Sequence, residues 1–200
     1  MKLLWIFLQI ATIPFILIIK VIFRIKVIHE NDMPSERGCL MISNHEGKLD
    51  PFYVLNYYGF WKSVQNVPYR FPVIHEYMIK KILKYIITAF GGYNIGETFE
   101  AKAKGLFYSR KILEEGGSLV IFPEGRIVRG NHNFINFQKG YSFLLTEGVQ
   151  VILVKMHCMY NLRSTFFSKS RPSITYRTIP SSIPHEEALE IIEAFYAHGL

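Results

Sequence analysis

GCLMISNHEGKLDPFYV, residues 38–54, passes through three kinds of local structure in seventeen positions. Cys39–Ile42 is an apolar run too short for a helix and suited to a buried strand, and it ends in three polar residues, Ser43, Asn44 and His45. Gly47 allows a turn. Asp50 followed by Pro51 is a helix-starting pair, an N-cap carboxylate and a residue whose missing N–H costs nothing at the first helical position, so a helix is expected over 51–58. A strand that delivers polar side chains at its carboxyl end and feeds a helix is half of a βαβ unit.

The rest of the chain repeats that alternation. Apolar periodicity predicts helices over 75–90 and 98–115, each closed by a Gly-Gly pair, and further helices over 137–147 and 184–197. β-branched and apolar runs predict strands over 63–67, 118–122, 149–156 and 173–178. The expected fold class is α/β, a single domain with a largely parallel central sheet flanked by helices. Ile79, Ile82, Leu83, Ile86 and Ile87 form one stripe at helical spacing, and such residues are expected in the core. The polar stretch HENDMPSERG, residues 29–38, reads as a linker.

Length and composition agree with one buried domain. The chain has 200 residues, half of them hydrophobic and only 20% charged, which excludes a disordered protein. The apolar excess is concentrated at the amino terminus. Residues 3–19, LLWIFLQIATIPFILII, contain no charge, and the apolar character resumes after Lys20. As a helix, Leu3–Phe23 would be roughly 32 Å long, close to the ~30 Å hydrocarbon core of a bilayer, although Gln9, Thr12 and Pro14 weaken a straight span. Residues 1–26 are therefore expected to be a hydrophobic membrane anchor, spanning or half-immersed, ahead of a catalytic domain over 27–200. A cleaved signal is disfavoured because no small-residue cleavage site follows the run. Lys20, Arg24 and Lys26 flank its carboxyl side, which places the domain on the cytoplasmic side of the membrane. Cys39 and Cys158 both sit in apolar runs, as thiols do in such a compartment.

The formal charge of +7 suits nucleic acid, anionic lipid or an acidic protein. Basic residues are scattered, no denser than the pairs Lys80-Lys81 and Arg110-Lys111, and no nucleic-acid-binding motif is present, so no nucleic-acid partner is expected.

Two constellations carry chemistry. The chain has seven histidines and two aspartates, and one aspartate follows a histidine in the strand-to-helix turn, His45 and Asp50. A carboxylate on one ring nitrogen fixes the imidazole tautomer and leaves the other nitrogen to take a proton from a hydroxyl. The plainer reading makes Asp50 an N-cap and His45 a loop residue. The second constellation, Phe122-Pro123-Glu124-Gly125-Arg126, lies at another strand's carboxyl end, where open α/β sheets bind ligands. Gly125 permits close backbone approach, Arg126 offers a fork for phosphate and Glu124 accepts hydrogen bonds from a hydroxyl. No His-Glu pair has a second histidine at zinc-protease spacing, neither cysteine lies in a CxxC pair, and the serine-hydrolase elbow and Walker loop are absent. No metal is expected.

NHEGKLD followed by FPEGR, with a hydrophobic segment ahead of both, resembles the paired NHx4D and FPEG motifs of the lysophospholipid acyltransferases, typified by 1-acyl-sn-glycerol-3-phosphate acyltransferase. The resemblance implies a glycerol-3-phosphate acyltransferase-like fold. It also implies transfer of an acyl group from acyl-CoA or acyl-carrier protein to a lysolipid hydroxyl, with no bound cofactor. His45 would be the base and Asp50 its orienting carboxylate; Asn44, Glu124, Gly125 and Arg126 would bind substrate, assisted by Lys139 or Arg129. The expected partners are the lysolipid acceptor, the acyl thioester donor, the membrane and, given the positive charge, acyl-carrier protein. Three departures bear on the acceptor. Arg126 stands one place earlier than the family's arginine, the middle motif at 92–97 (GYNIGE) has no arginine, and 151–154 (VILV) lacks the family's proline. The competing expectation is a membrane-attached lipid binder without turnover.

Overall fold

Alternate residues of the central strands face opposite ways, and each face is apolar, so the sheet needs a layer of helices on both sides. The computed structural model describes residues 2–31, 38–54, 64, 67–128, 137–159 and 171–197. The elements run α1 (Lys2–Ile22), β1 (Lys26–His29), β2 (Cys39–Ser43), α2 (Asp50–Val54), β3 (Tyr69–Val73), α3 (His75–Met78), α4 (Lys81–Ala89), β4 (Gly92–Asn94), α5 (Phe99–Glu114) and β5 (Ser118–Ile121). A 3-10 helix (Lys139–Leu144), β6 (Gln150–His157), β7 (Ser173–Ile179) and α6 (His185–Ala197) complete the chain. Among the described residues the sheet has seven strands in the order β1-β7-β6-β2-β5-β3-β4. Every neighbouring pair is parallel except β6 with β7. The architecture is the α/β class expected.

On β2, Cys39 and Met41 join Val120, Ile152 and Val154 in one core layer, against Ile16 of α1 and Tyr53 and Val54 of α2. Leu40 and Ile42 point the other way, into a second layer with Ile112 and Leu113 of α5 and Ile192 and Tyr196 of α6. β2 is central and entirely buried, and its carboxyl end shares an edge of the sheet with those of β5, β3, β4 and β6. That edge carries the polar residues singled out above.

Several expectations are corrected. The strand expected over 63–67 falls largely outside the described residues, and the strand that pairs with β5 is β3, Tyr69–Val73. Pro72 inside it masks the pattern, because proline normally argues against a paired strand. β1 ends at His29, the first residue of the expected linker, and pairs with β7, while 32–37 of that linker lie outside the described residues. The helix expected over 75–90 is two helices, since Lys80 is extended at φ −76° and ψ 107° and α4 starts afresh after it. No proline or glycine marks that break. The isoleucine stripe is not core: Ile82 is 78% exposed, Ile79 63% and Ile86 49%. Helical periodicity reports an apolar face without saying what the face meets, and α4 lies over the sheet's short β3-β4 edge. The segment over 137–147 is a single 3-10 stretch containing Gly140, a poor α-helix former. The remainder of 51–58 beyond Val54 lies outside the described residues.

α1 is one unbroken helix through Pro14, long and apolar enough to cross a membrane by length and composition. One face of it is docked on the domain. Gln9, Ile13 and Ile16 are buried while Leu3, Phe7, Phe15 and Val21 are exposed. The Gln9 side chain donates to the carbonyls of Tyr69 (2.8 Å) and Phe90 (2.7 Å) and accepts from the Tyr69 N–H (2.8 Å). The Arg70 guanidinium sits 4.3 Å from the Trp5 ring centroid.

Candidate active site

Where β2 ends, the chain turns sharply and α2 begins, and the turn is built around one carboxylate. Asp50 Oδ2 accepts hydrogen bonds from the backbone N–H groups of Glu46 (2.6 Å) and Gly47 (2.7 Å) and lies 2.9 Å from His45 Nδ1. Asp50 is fully buried, and its side chain makes no bond to the amides of α2 among the described residues. The N-cap reading of Asp50 is therefore replaced. Its carboxylate folds back onto the turn instead of forward onto the helix.

An ionised carboxylate only accepts, so the pairing puts the imidazole proton on Nδ1 and leaves the Nε2 lone pair to receive another. The His45 side chain is 19% exposed, open enough to meet a substrate and covered enough to keep one orientation. Its ring stacks on Phe122 with centroids 4.3 Å apart and planes 24° apart. The Val128 N–H donates to the His45 carbonyl at 2.7 Å. Three contacts thus hold the backbone and ring of one residue.

The second constellation arrives from β5, the strand beside β2. Glu124 Oε2 accepts the His45 backbone N–H at 3.1 Å, tying the two polar strand ends together. Burial pushes the Glu124 carboxyl up to about 7, and the Asp50 charge adds to that; the His45 amide, the His45 ring and Arg126 pull the other way. Gly125 has φ +65°, the left-handed region that favours glycine, and the end of the Gln138 side chain occupies the space where a Cβ would stand. The Gln138 N–H returns to the Pro123 carbonyl at 2.8 Å, and Lys139 follows it, exposed at the start of the 3-10 helix. Arg126 is also exposed, beside Glu124.

Asn44 is placed differently from these. It is fully buried, with its amide donating to the Met156 carbonyl (2.8 Å) and accepting from the Met156 N–H (2.6 Å), so it locks the end of β2 to β6. Sequence reasoning missed Glu46, whose Oε2 accepts the Met159 N–H at 2.6 Å from beneath the turn, and the packing role of Phe122. Phe122 had a signal in its place before Pro123; Glu46 had none. Arg129 lies outside the described residues. No cluster of metal-ligating side chains occurs among the described residues.

A buried carboxylate, an oriented imidazole and an adjoining turn with a glycine, a proton-holding glutamate and an arginine can bind a polar headgroup and deprotonate its hydroxyl. The sequence pattern of the family described as "Acyltransferase" matches residues 24–158. A solved structure, the 1-acyl-sn-glycerophosphate (LPA) acyltransferase PlsC from Thermotoga maritima, superposes over 98% of this chain and 91% of its own, with a TM-score of 0.57 and 17% identity, so it shares the fold. No curated protein matches. The family match spans both polar strand ends and more than half of the chain, and the protein accordingly belongs to the acyltransferase family.

Proposed function

We propose that this acyltransferase moves a fatty acyl group from acyl-CoA or acyl-carrier protein to the hydroxyl of a lysophospholipid, 1-acyl-glycerol-3-phosphate giving phosphatidic acid. The observation that carries the reading is the 2.9 Å contact of His45 Nδ1 with the buried Asp50 carboxylate, in a chain whose fold is that of an LPA acyltransferase. His45 Nε2 takes the acceptor's hydroxyl proton as the oxygen attacks the thioester carbonyl; the C–S bond then breaks and the thiolate leaves with that proton. Asp50 stabilises the imidazolium between those events. Attack is direct, with no acyl-enzyme. Glu124, Gly125 and Arg126 hold the acceptor's glycerol phosphate with Lys139 at the rim, and Asn44 fixes the strand end beneath them.

Residues 1–26 serve as the membrane anchor and 27–200 as the catalytic domain, on the cytoplasmic side. The docked face of α1 favours an anchor half-immersed in one leaflet, its outer side chains in lipid and Gln9 in the protein. The net positive charge suits an acidic carrier protein as donor.

A second acceptor class, another lysolipid, an aminolipid or a glycolipid, is favoured by one observation: the stretch that resembles the family's middle motif, residues 92–97 (GYNIGE), contains no arginine. Purified protein in mixed micelles with labelled acyl donor and a panel of lysolipids distinguishes the two. His45→Ala is expected to abolish transfer to every acceptor, a loss of roughly 10²–10⁴-fold or more. Full turnover in that variant removes the dyad from the mechanism. Arg126→Gln is expected to raise the KM for a phosphorylated acceptor while leaving kcat nearly unchanged; an unaltered KM would mean that the arginine does not bind phosphate.

A further inference from the structure

α1 and α4 lie side by side on one face of the sheet, joined where Gln9 bonds the Phe90 carbonyl at the end of α4. Both turn large apolar side chains away from the protein. In α4 no residue is buried, and Ile82 and Ile86, four positions apart and so on one face, are exposed together with Tyr85. Ile79 extends the patch into the preceding break. The charged residues of α4 and of the residue before it are of one sign: Lys80, Lys81 and Lys84 are exposed, and α4 contains no acidic residue, the exposed Glu76 lying on α3 ahead of the break.

We propose that this face of α4 is a second membrane contact, seated on an anionic leaflet beside α1. The inference rests on the membrane reading of α1 given above and extends it. An amphipathic helix with isoleucines on one side and lysines around them lies in the plane of a bilayer interface, the apolar side chains entering the acyl boundary and the ammonium groups reaching headgroup phosphates. A recess of about 460 Å³, lined in part by His75, Lys81, Lys84, Tyr85 and Asn94, gives those phosphates room beside the helix. Ile74 after β3 and Leu49 between His45 and Asp50, at the carboxyl edge of the sheet, are also exposed. One helix in a leaflet leaves the domain free to swing about it. Two contacts fix its tilt and hold the mouth of the site at the lipid surface.

Site-directed spin labelling of the full chain tests this in phosphatidylcholine vesicles with and without phosphatidylglycerol. A nitroxide at Ile82→Cys, in a Cys158→Ser background, is compared with one at Phe7→Cys on the outer face of α1. The Ile82 label is expected to gain collisions with oxygen and lose collisions with a water-soluble nickel chelate several-fold on vesicle addition, more so with phosphatidylglycerol. Replacing Lys80, Lys81 and Lys84 with Gln should remove that extra gain. A Phe7 label in lipid with the Ile82 label in water overturns the second contact and leaves the anchor standing. Both labels in water overturn both readings. An Ile82 label in lipid with Phe7 in water supports α4 and sinks the anchor, and immersion indifferent to phosphatidylglycerol overturns the role given to the lysines.

Discussion

Asp50 Oδ2 serves three donors, two amides of its own turn and the His45 ring, so the group that orients the imidazole also shapes the loop carrying it. Charge-assisted bonds of this kind are about twice as strong as neutral ones. Glu124 is the opposite case, a carboxyl that burial keeps partly protonated near neutrality. Its folded-state value of about 7 lies above its ordinary 4.5, so the folded protein holds this proton more tightly than the unfolded chain does. The resulting stabilisation is complete below about 4.5 and is lost as pH rises through about 7. Glu124→Gln keeps an oxygen for the His45 amide and removes the titration. Urea unfolding across that range should therefore show a smaller fall in stability with rising pH than the parent; an unchanged slope would place the proton elsewhere. Both carboxylates could be found by reading the chain, since one lies five residues from His45 and the other sits in a motif. What could not be found was that Glu124 bonds to the backbone of His45, a contact across 79 residues that depends on β2 and β5 being neighbours.

At the scale of elements, α1 shows how one polar residue sets the placing of a long apolar helix. Gln9 fills a polar gap on the docked face, meeting the Tyr69 N–H and the carbonyls of Tyr69 and Phe90 with both ends of its amide. In the sequence it reads as a flaw in a membrane span; in the structure it joins α1 to β3 and to the end of α4. Gln9→Leu is close in size but would strand these buried backbone groups, each costing about 1–3 kcal/mol. Unfolding in detergent should show a loss of roughly 2–4 kcal/mol, with helix content by circular dichroism preserved. A neutral substitution would mean that water satisfies the groups and α1 is held by its apolar contacts alone. The strands and helices with strong local signals, β2, β5, β6, α5 and α6, stand within a few residues of where the sequence puts them. Those set by partners do not. β3 is a strand despite Pro72 because Ser118 and Gly92 pair on either side of it, and α4's exposure follows from which surface it covers.

Across the whole molecule, the order of strands brings the two motifs together: β2 and β5 adjoin at the centre with β6 beside them, so residues 45, 124 and 156 meet at one edge. Alternation of strands and helices predicts a parallel sheet but not this order, nor the antiparallel β7 that returns along β6 and receives β1. The carboxyl-terminal residues carried no motif, yet they close the structure under the site. Tyr196 of α6 is fully buried, and its hydroxyl donates to the Ile42 carbonyl at 2.6 Å and accepts from the Val154 N–H at 3.3 Å, bridging β2 and β6 from below. Burial raises its pKa well above the ordinary value, so the hydroxyl stays a neutral donor. Ile42 lies three residues before His45, so this bridge ties the last helix to the strand that delivers His45. The register of β2 on β6 is also fixed by Asn44 and by the ladder from Cys39 to Ser43. Tyr196→Phe keeps the ring against Phe137 and Phe195 and removes only the hydroxyl. The expected result is a loss of about 1 kcal/mol in unfolding free energy with kcat changed less than severalfold. A large fall in kcat at unchanged stability would show instead that α6 sets the position of His45, and that the tail shapes catalysis as well as the fold.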